Sequence, residues 1–296
     1  MQHVFDPLSN ELFSIGPITI YMYSFMILTG VISALMMGIF EGKKLGIKSD
    51  LILDGITIIL PLSILGTRLW YVAFAWDQYR DDLMRIFRFS EGGLAIHGGF
   101  ITAVVSTIIY TRIRKIDVFK VIDLIAPGFL IGQALGRWGN FFNQEAHGGV
   151  IGGLNNNQPI LDWDAQRQFL SETLRLPKFI VNNMYLRGPQ GLNYYHPTFL
   201  YESLWNLLGL GIILVLRRTR FVRSGDFLGF YLIWYSVGRF FIEGMRTDSL
   251  YIGDTGLRTA QIVSILMILG GVIFLVINHK VFKRQYYHDA LKENAS

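Results

Sequence analysis

The 296 residues contain no cysteine. That excludes a disulfide-stapled scaffold, a thiolate zinc site and a cysteine nucleophile of the chain's own. Charge is scarce as well. Asp, Glu, Lys and Arg make up 17% of the chain, against about 25% in ordinary soluble proteins. With 51% hydrophobic residues, this balance is the reverse of a disordered chain's. The eight prolines and 31 glycines follow no period, which excludes collagen-like repeats, and no heptad pattern marks a coiled coil. Neither His-x-x-x-His nor His-Glu-x-x-His occurs, so no hydrolytic metal centre is expected, and no cofactor. The net charge of +5 is mild. Nucleic-acid binding would need it gathered on one face, and no such partner is expected.

What is present is long apolar runs. Ile18 to Phe40 is 23 residues without a charge, and Ala260 to Asn278 is 19. About 20 apolar residues cross a bilayer's hydrocarbon core, so both read as transmembrane helices. Residues 51–75, 93–111, 118–135, 197–216 and 226–245 are also apolar, with isolated polar residues. The expected fold class is therefore all-α: a polytopic membrane bundle of about seven helices forming one membrane domain. Span four is the most interrupted, by Lys120, Asp123 and Pro127. The first span is not expected to be a cleaved signal peptide. Residues 1–17 hold no Lys or Arg, and the apolar run exceeds an h-region.

The loops suggest orientation. Alternate connections carry Lys43, Lys44 and Lys48; Arg112, Arg114, Lys115 and Lys120; Arg217, Arg218, Arg220 and Arg223; and Lys280, Lys283, Arg284 and Lys292. These are 15 of the 27 basic residues. The positive-inside rule puts them in the cytoplasm, the C-terminus with them, and the N-terminus outside. Residues 137–196 then form a long outer head region, expected to be irregular with short helices.

Ionisable groups inside a span are costly and need a partner or a purpose. Tyr235, Arg239, Glu243 and Arg246 fall on one face of a helix. An Arg–Glu–Arg ladder could simply hold helices together. Alternatively, its surplus positive charge suits a phosphate. Arg137, Asn140, Asn143, Glu145 and His147 cluster in Gly136–Gly148 at the end of span four. They could cap an interfacial turn, or place amides and a guanidinium around a ligand that the glycines let approach. His97 precedes Gly98-Gly99. It reads either as a hydrogen-bonded core residue or as a general base with cleared space beside it. Tyr23, Arg68, His196, Tyr201 and Glu202 complete the polar set. Arg68 could snorkel, and Glu202 could pair with an arginine. A channel would repeat one polar type in rings, and a transporter would show internal repeats. Neither pattern is present. A cationic cavity open to lipid fits an anionic phospholipid headgroup, while a non-catalytic lipid-binding scaffold or transporter stays open as the alternative.

Gly136 to Gly148 resembles the signature of the prolipoprotein diacylglyceryl transferase family, Gly-Arg-x-Gly-Asn-Phe-x-Asn-x-Glu-x-x-Gly, at every fixed position. His97-Gly98-Gly99, His196-Pro-x-x-x-Tyr201-Glu202 and Arg239-x-x-x-Glu243-x-x-Arg246 are similar to its other blocks. Residues 150–195 match no part of it. The resemblance implies transfer of the diacylglyceryl group of phosphatidylglycerol to the lipobox cysteine of a preprolipoprotein. A thioether forms and glycerol phosphate leaves, at the bacterial cytoplasmic membrane. On this reading His97 deprotonates the thiol, and Arg137 and Arg239 stabilise the departing phosphate. Asn140 and Asn143 orient the headgroup, and Glu145 holds Arg137 or the glycerol hydroxyls. Glu243 and Arg246 fix Arg239, and Tyr23 and Tyr235 donate to phosphate oxygens. Arg68, His196, Tyr201 and Glu202 join the substrate-binding set. The thiol belongs to the substrate, in keeping with a chain that has none.

Overall fold

The computed structural model describes residues 5, 8–156, 158–247, 249–253 and 255–293, Ser90 by its backbone alone. A hairpin of β1 (Glu11–Ile15) and β2 (Ile18–Tyr21) leads into α1 (Met22–Lys44), α2 (Ser49–Phe74), α3 (Ile96–Arg114) and α4 (Val118–Phe142). A head segment follows, made of β3 (Leu154–Asn155), β4 (Gln158–Pro159), α5 (Trp163–Gln168), α6 (Lys178–Asn183), β5 (Tyr185–Gly188) and β6 (Gly191–Tyr194). The long helices α7 (Thr198–Leu216), α8 (Asp226–Met245) and α9 (Thr259–Ile277) come next, then the short α10 (Tyr287–Glu293).

Among the described residues, six helices are long and apolar enough to cross a membrane: α1 to α4, α7, and α9 with the turn that extends it to Phe282. The remaining expected span coincides with α8, a 20-residue helix. It carries the charged residues Asp226, Arg239 and Glu243. Large apolar side chains such as Met36, Phe74, Phe100 and Leu266 stand exposed. A soluble protein avoids such patches, and a lipid-facing helix requires them.

One expected boundary is wrong. Ile18–Tyr21 belongs to strand β2, not to the first span. Its alternating Ile-Thr-Ile-Tyr pairs with β1 across a tight turn in which Gly16 takes a positive φ of 59°. Absence of charge marked the run as apolar but carried no information about its period.

The chain forms two compact units, with boundaries inside α1, α4 and α10. In the unit built from residues 37–124 and 289–296, α2 and α3 lie against each other at small residues. A Cβ on Gly98 would stand 2.2 Å from Trp70 Cβ and 2.3 Å from the Gly66 carbonyl, and one on Gly99 would stand 2.5 Å from Thr67 Cγ2. Gly98 and Gly99 therefore serve close helix packing. The space they leave is filled by α2 and is not cleared for a ligand beside His97, contrary to the sequence expectation. Tyr110 donates to the Leu51 carbonyl at 2.7 Å and Arg114 pairs with Asp54 at 3.0 Å, tying the other ends of the two helices.

The other unit holds residues 1–36 and 125–288. Trp205 of α7 and Trp234 of α8 stack at 4.3 Å. Each indole N–H donates to the other's carbonyl at 2.9 Å, and each ring covers a glycine of the facing helix, Gly238 and Gly209. The head segment is more ordered than its composition suggests. Phe141, Ile151, Leu170, Met184, Tyr185 and Tyr194 share a buried core with Phe199 of α7. Gln166, fully buried, donates to the Leu161 carbonyl and accepts from the Tyr194 backbone N–H at 2.8 Å. The scattered polar residues that read as irregular loop include the side chains that staple this core.

Candidate active site

Arg137 lies in the last turns of α4, Glu202 in the first turns of α7, and Arg239 and Glu243 in the last turns of α8. The three helix ends bring them together. Arg137 Nη2 lies 2.7 Å from Glu202 Oε1, and Arg239 Nη1 lies 3.7 Å from Glu202 Oε2. Arg239 Nη2 lies 2.6 Å from Glu243 Oε2. Both carboxylates are 3% exposed, whereas the guanidiniums keep 21% and 18%. The guanidiniums therefore keep more exposure than the carboxylates they pair with. Arg239 Nη1 is buried and donates no hydrogen bond. Its distance from Glu202 leaves a charge-bearing donor free for another acceptor.

Glu202 is thus the shared counter-ion, as the plain pairing reading of that residue had it. Glu145 does not hold Arg137. Its Oε1 accepts from Asn140 Nδ2 at 2.9 Å and from Asn143 Nδ2 at 3.2 Å, while Arg137 Nη1 donates to Asn140 Oδ1 at 3.1 Å. Asn140 relays between guanidinium and carboxylate, the order an amide permits with one acceptor and two donors. The chain then turns through Gln144 and Ala146, both at positive φ, a strained reversal of the kind that persists where its surroundings fix it. Those surroundings are visible. Gly148 N–H donates to the His196 carbonyl at 2.9 Å, His196 N–H to Gly149, and Gly149 N–H to the Met245 carbonyl at 3.0 Å. Gly148 also bridges Arg246, which caps α8 instead of continuing its helical face.

Tyr23 of α1 lies flat against the signature's second glycine. A Cβ on Gly139 would come within 2.7 Å of Tyr23 Cδ2. Tyr235 stacks on Tyr231 at 5.7 Å and stands within electrostatic range of Glu202, Arg239, Arg137 and Arg246. His196, outside the spans, lies 3.2 Å from the Tyr201 hydroxyl. Burial pushes the His196 pKa below its ordinary value.

Two predicted site residues lie elsewhere, in the unit built on α2 and α3. Arg68 is 2% exposed. Nε donates to Ile86, Nη1 to Gly92 and Gly93, and Nη2 to Arg85 and Arg88, all backbone carbonyls. A guanidinium has five N–H donors, and this one uses five on protein. Arg68 pins the 85–93 segment and has no donor left for a lipid, which corrects its place in the substrate-binding set. His97 is exposed near the N-terminus of α3.

Sequence reasoning missed Arg258. Its Nη1 donates to the Glu243 carbonyl, joined there by Ser249 Oγ and Arg246 N–H. The last turn of α8 is therefore capped by three donors. The available signal was a basic residue directly before an apolar run. Among the described residues, no cluster of His, Asp and Glu could hold a metal ion.

Residues 10–277 match the family model described as prolipoprotein diacylglyceryl transferase. A phosphatidylglycerol–prolipoprotein diacylglyceryl transferase of Halalkalibacterium halodurans is 47% identical over 273 residues, covering 92% of this chain and 87% of the relative. Proteins of the same name from Bacillus cereus strain G9842 and Bacillus cytotoxicus are 45% and 46% identical, each covering 90% of this chain and 91% and 90% of the relatives.

Proposed function

The chain belongs to the prolipoprotein diacylglyceryl transferase family, and we propose that it performs the family's reaction at the Arg137–Glu202–Arg239 cluster. It is a multi-pass membrane transferase that uses phosphatidylglycerol and prolipoprotein as substrates, the first step of lipoprotein maturation. The acceptor in our reading is the lipobox cysteine. The enzyme sits in the bacterial cytoplasmic membrane with its N-terminus outside, and the skew of basic residues among the loops supports this orientation.

In the step itself, the thiolate sulfur attacks the glycerol carbon that carries the phosphate. The carbon–oxygen bond breaks, a thioether forms, and glycerol phosphate leaves with the bonding electrons. The thiol proton passes to a base. The phosphate goes from a singly charged diester toward a doubly charged monoester, so negative charge grows on it through the transition state. Donors held in place beforehand lower that barrier without reorganising. The buried, unbonded Nη1 of Arg239 is the observation that carries this assignment. Arg137 shares the same carboxylate and supplies the second guanidinium. Asn140 and Asn143 orient the headgroup with Glu145, and Tyr23, Tyr201, His196 and Tyr235 line the approach. Arg246 fixes the end of α8.

His97 remains our candidate base. It belongs to a different compact unit from the arginines, and its assignment rests on the likeness of His97-Gly98-Gly99 to a block of the family. The test is direct. Purified protein is incubated with phosphatidylglycerol and a lipobox peptide. Glycerol phosphate and a diacylglyceryl-cysteine, in equal amounts, are expected. Lipid binding without either product would contradict the assignment.

A further inference from the structure

A second set of polar groups, unused above, lies on the three helices that carry the clamp. Gln133 precedes Arg137 by four residues on α4, Asn206 follows Glu202 by four on α7, and Ser236 precedes Arg239 by three on α8. The clamp joins the C-terminal ends of α4 and α8 to the N-terminal end of α7. All three offsets therefore run the same way along the bundle, by about 4.5–6 Å. Ser203 Oγ donates to the Ala134 carbonyl at 2.9 Å and Gln133 Nε2 to the Tyr231 hydroxyl at 2.8 Å, so α4 is held to both partners at this depth.

This layer is polar, buried and unfinished. Asn206 and Ser236 are 0% exposed. Yet both amide atoms of Asn206, the Ser236 hydroxyl and Gln133 Oε1 have no hydrogen-bond partner. Buried polar groups are normally satisfied, and an amide with neither end paired is costly. In a membrane span the cost falls at a place where leucine would be free of it.

We propose that Gln133, Asn206 and Ser236 form a subsite for the acyl-ester groups of the donor lipid and make the enzyme select diacyl over dialkyl glycerol. The inference rests on reading the arginine cluster as the phosphate site. In a glycerophospholipid the ester carbonyls lie a few bonds from the phosphate, toward the chains. A phosphate at the clamp therefore places them about one helical turn deeper, where this layer lies. Ester carbonyls accept hydrogen bonds and carry no charge. The layer is correspondingly uncharged and offers donors: Asn206 Nδ2, the Ser236 hydroxyl, and the Gln133 amide once turned over to accept from Tyr231. An ether oxygen is a far poorer acceptor and would leave these groups unpaired.

The experiment compares kcat/KM for 1,2-diacyl phosphatidylglycerol and its 1,2-dialkyl ether analogue of equal chain length, with one lipobox peptide, following glycerol phosphate release. The wild type is expected to favour the diester by roughly tenfold, the worth of one or two hydrogen bonds. Asn206→Leu, Gln133→Met and Ser236→Ala should each bring that ratio toward one. Ser236→Ala removes a single oxygen and keeps the test available if a larger change misfolds. A wild type indifferent to the linkage, or variants with an unchanged ratio, would overturn the proposal. Arg137→Lys separates the two readings: it should slow both lipids and leave the ratio standing. If Arg137→Lys were as fast as wild type, the clamp reading would fail, and the ratio would still report on the ester subsite.

Discussion

Glu202 of α7 places Oε1 2.7 Å from Arg137 Nη2 with its side chain only 3% exposed, so one buried carboxylate supports the guanidinium that the family signature provides. Its other oxygen faces Arg239. Removing one partner of a buried pair leaves a desolvated charge, which costs about 3–5 kcal/mol. Glu202→Ala should therefore lower thermal stability in detergent and abolish transfer together. Glu202→Gln keeps the shape and should fold better while still losing most activity. Differential scanning fluorimetry beside the peptide assay checks both. A fully active Glu202→Ala enzyme would remove Glu202 from the site.

The α2–α3 contact predicts damage without chemistry. Gly98→Ala places a methyl where Trp70 and the Gly66 carbonyl already stand. Backbone cannot yield as a side-chain tip can, and overpacking typically costs about 1–3 kcal/mol or more. The expected result is a lowered melting temperature and poor recovery of folded protein. Wild-type stability would show that the two helices separate easily.

Arg68 should behave as a structural residue. Arg68→Met leaves five carbonyls of the 85–93 segment without their common donor. Limited proteolysis should then cut within residues 76–94 much faster than in wild type. An unchanged cleavage pattern would mean the segment holds itself.

His196 predicts a pH dependence. Its folded pKa lies below the ordinary value because burial penalises the charged ring. The unfolded chain then binds the extra proton first, with a pKa of about 6.5. Its contribution to stability is complete above that pKa and is lost as pH falls through the window down to the folded value. Melting temperatures measured from pH 8 to pH 5 should fall in that range, and His196→Gln should flatten that part of the curve. An equal slope in the variant would assign the effect elsewhere.

The sequence made the bundle legible because lipid imposes a simple rule: charge must vanish for about 20 residues. The same rule hid the β1–β2 hairpin, whose residues are apolar yet alternate. Arg137, Arg239 and Glu243 stood out because a charge in a span needs a reason. Their pairing was not legible, since the choice between Glu145 and Glu202 as partner of Arg137 depends on how α4 and α7 approach. Gly98 and Gly99 showed that room was needed beside His97 but not what fills it. Gln133, Asn206 and Ser236 passed as ordinary isolated polar residues, because only the structure shows them at one depth and unpartnered. Arg258 was missed for a similar reason: its target is a backbone carbonyl, which carries no mark in the sequence.

The measurement that bears most directly on the account is the turnover of Arg239→Lys and Arg239→Ala, with folding verified, on phosphatidylglycerol and a lipobox peptide. If the guanidinium with the free Nη1 stabilises the departing phosphate, both variants bind lipid and lose roughly 100- to 1,000-fold in kcat, the usual cost of one oriented oxyanion donor. A lysine or alanine variant that releases glycerol phosphate at the wild-type rate would contradict it.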